Sequence, residues 1–578
     1  MAQKRKTIQL SKEFSLSNFV NENDGSGGNV VSVSKRKKQD VLDISNNETD
    51  NPQVLLHCYS LSASTSTIAD LSSASTSIIT DNEIHEKHDS FHFIEDSGPQ
   101  CPLTREAKPI EYFDLFFDSS LLTLMVRETN RYADELLQLR LHETDRRSRI
   151  TMWKPITALE MKAFIAVLLE MGITKRPTIF SYWAENSRNI PWFSKMFSRN
   201  RFQLILRFFH LVDNKECFPP EHEKYDPCSK FIPIVEHANR IFKLYYKPRK
   251  ELSIEESLIG TICHSSITRQ HLPNNKDQWS IKFWMLCDAS SKYCLRLYCY
   301  RNAQAKIDNT KSQKPELGYD IVVNLLEQCG YLNKGYHVFV GNYLSSIALA
   351  KYLYSKGTYL TGTIKNNRKN LPNDIKKINL NETKYVRDGE VVLCGYRGKK
   401  MTKNPVLLIS TKASDENVTI IKNRNRNEKQ CIVNFYNYFM GGIDESDKML
   451  YMYLDEQRTV KYWKKVTFNI ISRMVLNSYL LYKEIVRKKA MTRLEFISNI
   501  ISEIECEWMQ ERKQQLINTD KRTFGLMKLP GRNLRQCVVC SNKDNGIKRS
   551  NLICVQCKKG IHPLCLDKHV CFKSNSKC

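Results

Sequence analysis

Apolar residues recur every third or fourth position over Glu160–Met171, with Gly172 just beyond, a pattern that predicts a helix ending in a glycine cap. Arg201–Leu211 and Phe231–Tyr246 repeat it, the first with a basic side at Arg201 and Arg207, the second closed by Pro248. Ahead of them Glu111–Phe117 is dense in aromatics, so order is expected from about Ile110. Beyond Arg249 the period shortens. Leu252–Ile254, Trp279–Cys287 and Cys294–Arg301 read as strands, Tyr319–Cys329 as a helix, and Tyr336–Val340, between Gly335 and Gly341, as a buried strand. Three strands, a helix and a fourth strand are the order of a mixed α/β sheet. Residues 366–430 are polar and basic, with weak strands such as Pro405–Ser410, and read as an insertion. From Tyr453 to Met509 the helical period returns.

Composition separates the N-terminus from the rest. The first hundred residues are rich in Ser, Thr, Asn and Asp, with a biased run at Leu61–Thr80, and too few apolar side chains to offset chain entropy. Residues 1–105 are therefore expected to be disordered. The cluster Ser34-Lys35-Arg36-Lys37-Lys38 within them has the form of a nuclear-import signal, or of a solvated charge run. The whole chain of 578 residues carries 88 Lys+Arg against 62 Asp+Glu, a net +26; the first hundred residues carry −5, so the remainder carries +31. Such an excess favours a polyanion, nucleic acid first. A membrane span is not expected: Ala163–Met171 and Phe468–Tyr482 are short or interrupted by Glu, Ser, Arg and Asn, and no apolar stretch follows Lys4, Arg5 and Lys6. With no secretory signal, the 19 cysteines are expected as thiols or metal ligands in a reducing compartment.

Seven of those cysteines fall in the last 42 residues. Cys537-x₂-Cys540 and Cys554-x₂-Cys557 form two zinc-type knuckles, followed by His562, Cys565, His569 and Cys571. Eight ligands make two tetrahedral Zn²⁺ sites and leave Cys578 spare. Lys548, Arg549, Lys558, Lys559 and Lys568 lean this module toward DNA, although a zinc module also serves as a protein-binding surface.

The middle of the chain carries an ordered set of motifs. Glu128-Thr129-Asn130-Arg131-Tyr132-Ala133 comes first, then Tyr225-Asp226-Pro227 and Tyr246-Lys247-Pro248. Gln270-His271-Leu272-Pro273, Ile281-Lys282-Phe283-Trp284, and Gly362-Thr363-Ile364-Lys365-Asn366-Asn367-Arg368 through Pro372 follow. Met440-Gly441-Gly442-Ile443-Asp444-Glu445-Ser446-Asp447-Lys448-Met449, Tyr462-Trp463-Lys464-Lys465 and Asn477-Ser478-Tyr479 close the series. In this order, across about 110–485, the chain resembles the piggyBac transposase family and its transposable element-derived proteins. The resemblance implies an α/β fold: a ribonuclease-H-like mixed-sheet core with an insertion, flanked by helical DNA-binding regions and a C-terminal cross-brace zinc finger. The expected boundaries are 106–250 for the first helical dimerisation and DNA-binding region, 251–365 for the core and 366–430 for the insertion. Residues 431–452 resume the core, 453–530 resume the helical region and 531–578 form the zinc finger.

The resemblance also implies two Mg²⁺ ions on three carboxylates, one metal activating the attacking oxygen and the other neutralising the leaving oxygen. The aligned positions here are Glu255, Gly341 and Asp444, with Asp447 as a further acid of the last motif. Glu255 keeps a carboxylate one methylene longer than the family's Asp; Gly341 offers no ligand, and Asn342 beside it points to the other side of a strand. Mg²⁺ is expected not to bind and strand cleavage to be lost, with Asp444 acting as a helix cap. Rescue by Asn342 or His337 is the competing expectation. DNA-holding residues are expected at Lys365, Arg368, Lys422, Arg424, Lys461, Lys464 and Lys465, with Arg473 on the same late helix. The leading reading is a nuclear, transposase-derived protein that binds double-stranded DNA without cutting it and can form a homodimer. The alternatives are a transposase with residual activity at TTAA sites, and a factor whose zinc module recruits a protein partner.

Overall fold

The computed structural model describes residues 91–140, 149–184, 190–219, 221–261, 269–271, 279–300, 317–368, 371–380, 382–398, 405–412, 431–455, 461–523, 525–531, 533–541, 546–555 and 557–569. The basic cluster at Ser34–Lys38, the candidate DNA residues Lys422 and Arg424, and the candidate ligand Cys571 lie outside them.

Residues 91–105, expected to be disordered, are held against the fold at a few side chains, although about half of them are exposed. Two aromatics anchor them: the Phe91 ring lies 4.9 Å from that of Tyr354 and 5.0 Å from that of Tyr359, and Phe93 meets Tyr336 edge-on at 4.9 Å. Strand β1 (Gly98–Pro99) then pairs antiparallel with β2 (Tyr246–Lys247). A composition average over the first hundred residues conceals two well-placed phenylalanines.

Helices α1 (Pro109–Phe116), α2 (Ser119–Arg140), α3 (Ala158–Thr174), α4 (Ile179–Tyr182), α5 (Pro191–Met196), α6 (Arg199–Phe208) and α7 (Ile232–Tyr245) follow. Helix α3 is buried on most of its circumference, with Phe164 among Phe202, Phe209 and Phe468. Thr157 caps it, accepting from the Glu160 N–H. Its end is not at Gly172. The helix runs on to Thr174, and Lys175 takes the left-handed cap conformation with φ 38°. Gly172 serves a packing purpose instead: a Cβ there would lie 2.0 Å from the Tyr453 carbonyl oxygen. The motif Glu128–Ala133 is also structural. Arg131 pairs with Glu128 and donates to the Val212 carbonyl, while Asn130 exchanges two hydrogen bonds with the Ile156 backbone.

Strands β3 (Glu251–Gly260), β4 (Arg269–His271), β5 (Trp279–Asp288), β6 (Cys294–Cys299), β7 (His337–Val340), β8 (Tyr359–Ile364), β9 (Thr383–Asp388), β10 (Val391–Tyr396) and β11 (Val406–Ser410) form one mixed sheet. Its central order is β6-β5-β3-β7-β8: the first two neighbour pairs are antiparallel, whereas β3 with β7 and β7 with β8 are parallel. This is the ribonuclease-H-like arrangement. Helix α8 (Leu317–Cys329) links β6 to β7, and α9 (Ile347–Ser355) links β7 to β8. The stretch read as an insertion extends the same sheet, because β11 pairs with β8 and continues through β10 to β9. Helices α10 (Cys431–Met440) and α11 (Gly442–Met452) return the chain to β3, and α12 (Tyr462–Val486) and α13 (Arg493–Thr523) complete the helical part. No described helix is long and apolar enough to cross a membrane. Short strands β12 (Leu526–Lys528), β13 (Arg535–Gln536), β14 (Arg549–Ser550) and β15 (Leu552–Cys554) then build a small terminal module around Cys554 and Ile561.

Candidate functional site

Parallel pairing of β3 with β7 sets Ile254 opposite Val340, so the next residues, Glu255 and Gly341, come side by side. A Cβ built on Gly341 would lie 3.4 Å from Glu255 Oε1 and 3.7 Å from Met440 Cε, ordinary contact distances. Gly341 is not among the glycines held at positive φ, so neither space nor backbone demands glycine there. Close packing brings α11 onto β3: a Cβ on Gly442 would lie 2.7 Å from Ser253 Oγ and 3.2 Å from Ala289 Cα, so any side chain there would have to displace its neighbours. The same approach carries Asp444 and Asp447 over the Glu255 face. Burial and then the Asp444, Glu256 and Asp447 carboxylates push the Glu255 carboxyl up to about 8. The Asp444 carboxyl is also raised, first by partial burial and then by Asp447 and Glu445.

Asp444 does not cap its helix. The N-cap is Gly441, which makes no side-chain cap bond, and Asp444 sits within the first turn. Asp447 is committed elsewhere. Ser257 Oγ donates to its Oδ2 at 2.9 Å, and the buried Arg473 of α12 forms an ion pair with it while also donating to Ser446. His337 is remote from the acids: it is buried at the start of β7, with Nε2 2.8 Å from Thr361 Oγ1, and burial followed by Lys412 and Lys250 lowers its pKa far below the usual imidazole range. The set therefore fits two Mg²⁺ ions poorly. Among the described residues Glu255 and Asp444 are its carboxylates without a cation or hydrogen-bond partner, and the position beside Glu255 on β7 is glycine, which adds no ligand.

The candidate DNA residues divide by burial. Lys365 is exposed just beyond β8, Arg368 donates from the following turn to the Tyr343 carbonyl at 2.8 Å, Lys461 is exposed ahead of α12, and Lys465 is half-buried. Lys464 is buried, with Nζ donating to the carbonyls of Leu206 and Arg207. It closes the C-terminal turn of α6, a use of lysine that satisfies orphan carbonyls and leaves no ammonium for phosphate. Arg473, bound to Asp447, is likewise structural, and Arg201 pairs with Glu160 at 2.6 Å while lying over Trp153.

A second cluster was not anticipated. Glu256, adjacent to Glu255, faces the opposite side of β3, as successive strand residues do. Lys282 Nζ pairs with Glu256 Oε1 at 2.8 Å and lies 4.2 Å from the Trp284 ring and 5.1 Å from that of Tyr343. The Trp284 and Tyr343 rings stack 5.5 Å apart at 18°. Lys282 and Trp284, two apart on β5, carried a sequence signal in their shared face; Tyr343, from the loop after β7, did not.

In the terminal module Cys537, Cys540, His562 and Cys565 bring their ligand atoms within 4.8 Å of one another, and so do Cys554, Cys557 and His569. The first knuckle thus joins the third ligand pair and the second knuckle joins His569, an interleaved order. Both groups can hold a metal ion, with sulfur and imidazole donors already facing: Cys540 Sγ is 3.2 Å from His562 Nδ1, and Cys557 Sγ is 3.3 Å from His569 Nε2.

A family model described as Transposase IS4 matches residues 108–479. PiggyBac transposable element-derived protein 3 of Homo sapiens is 23% identical over 487 residues, spanning 79% of this chain and 75% of that protein. PiggyBac transposable element-derived protein 5 of Homo sapiens is 21% identical over 429 residues, spanning 71% and 78%. Among solved structures, a piggyBac transposase in a synaptic complex with hairpin DNA superposes with a TM-score of 0.63 at 21% identity, covering 81% of this chain and 97% of that one. With the sheet order, the gathered acid positions and a family match over most of its length, the chain belongs to the piggyBac-type Transposase IS4 family.

Proposed function

We propose that this chain is a nuclear, domesticated transposase derivative that grips double-stranded DNA and no longer cuts it. The observation that carries this reading is the pairing of Gly341 with Glu255: the two positions adjoin in register, and one of them has no side chain. Two-metal cleavage needs carboxylates that hold both ions at about 2.0–2.1 Å ligand distances. Two uncommitted acids, one of them a Glu in an Asp position, supply too little charge and misplace what they supply. DNA binding is supported by the net charge of +26, by exposed Lys365 and Lys461, and by a fold shared with a transposase–DNA complex. The basic cluster Ser34–Lys38 supports entry to the nucleus.

The terminal module is assigned to zinc on donor chemistry. Thiolate and imidazole donors select Zn²⁺ over Mg²⁺, and four of them suit its tetrahedral shell. Cys537, Cys540, His562 and Cys565 would hold one ion; Cys554, Cys557 and His569, with Cys571 as the expected fourth ligand, would hold the second.

The test of the cutting site restores it. The double substitution Glu255→Asp with Gly341→Asp is expected to raise Mg²⁺ affinity at least tenfold by calorimetry on the full chain. An unchanged affinity would show that these positions are not a decayed metal site.

A further inference from the structure

The rim of the sheet behind the carboxylate remnant has an organisation that strand cleavage does not require. Tyr343 projects from the loop after β7 and remains 36% exposed. Trp284 supports its ring from β5, nearly parallel, and is itself covered. Lys282 is only 7% exposed, yet its charge is matched by Glu256, so the platform it underlies is neutral overall. Lys365 lies 5.5 Å from the Tyr343 ring, is exposed, and has no acidic partner among the described residues. Arg368 fixes the loop by holding the Tyr343 carbonyl. Trp284 Nε1–H is buried without an acceptor among the described residues. Core packing alone accounts for neither the exposed tyrosine nor the unmet indole donor.

A partly exposed aromatic ring with an uncompensated, flexible lysine against it is an arrangement that receives a planar heterocycle with a phosphate attached, the lysine swinging from ring to phosphate. A base paired inside a duplex cannot present its face to a side chain, so the occupant must be unstacked. We propose that Tyr343, backed by Trp284 and Lys282, is a stacking seat for one unpaired nucleobase of a nucleic acid, with Lys365 on the adjoining phosphate. This rests on the reading of the chain as a DNA-binding protein. It adds that the protein discriminates single-stranded or distorted DNA from regular duplex at this seat.

The experiment uses the full chain with two fluorescent probes: a single-stranded oligonucleotide carrying one 2-aminopurine, and the same strand annealed to its complement. Wild type is expected to quench the single-stranded probe on binding, as a stacked base is quenched. Tyr343→Ala should abolish the quench and weaken single-strand binding roughly tenfold, while duplex affinity stays unchanged. Tyr343→Phe should retain the quench. Lys365→Ala should keep it but lower the salt slope of single-strand binding by about one phosphate. Duplex binding without a quench in wild type, or a quench that survives Tyr343→Ala, overturns the seat and leaves the DNA-binding reading standing. Failure of wild type to bind either probe overturns both.

Discussion

Glu255 shows how burial and neighbouring acids together set the titration of one carboxyl. Its carboxyl sits between strand and helix beside Asp444, and burial with those neighbouring charges raises it to about 8 from an ordinary value of 4.5. The folded state therefore binds the proton more tightly than the unfolded chain. The contribution to stability is complete below about pH 4.5 and is lost as pH rises through about 8. Glu255→Gln, the shape of the protonated acid, is expected to remove that loss, so the variant gains on wild type in chemical denaturation at pH 9 and not at pH 5. A constant difference across that range would contradict the assignment. The sequence made Glu255 and Gly341 legible because their chemistry departs from a motif whose neighbours are intact. It could not separate Lys464 and Arg473 from Lys365. All are cations on basic stretches, and only the surroundings decide: two helix-end carbonyls for Lys464, Asp447 for Arg473, an exposed place near the Tyr343 ring for Lys365.

Elements were predicted well where periodicity was strong and poorly where a contact came from far along the chain. The strands β3, β5, β6 and β7 and the helix between β6 and β7 follow the apolar pattern. A glycine near the end of a helical run signals a cap, whereas the demand at Gly172 comes from the backbone of Tyr453, far along the chain. That demand is testable. Gly172→Ala should destabilise the protein by roughly 1–3 kcal/mol, the usual cost of overfilling a packed site, because the Tyr453 backbone must move. A denaturation midpoint equal to that of wild type would show that the close approach is not rigid. The insertion joined the sheet for a similar reason: β11 finds its partner in β8, a pairing that polar, basic composition around it did not announce.

At the scale of the whole molecule, the positive charge now has distinct uses. Part is structural and buried, part lies on surfaces that can meet phosphate, and part surrounds two Cys/His groups at the C-terminus. Small modules of this type lack a sufficient apolar core, and here that core centres on Cys554 and Ile561. The metal is expected to supply the missing stability. Mass spectrometry of the native protein should find close to two zinc ions per chain, and chelation should make residues 526–569 protease-sensitive while the ribonuclease-H-like core resists. Full protection of that segment without zinc would contradict the assignment. The cysteine spacing made this module legible, but only the fold showed which knuckle joins which histidine.

Grip without cutting can be read from supercoiled plasmid incubated with the full chain in Mg²⁺ and, separately, in Mn²⁺, resolved for both retardation and nicking. The plasmid is expected to be bound, with affinity falling steeply as salt rises, and to stay supercoiled under both metals. Conversion to open circles by the wild type, abolished by Asp444→Ala, would contradict it.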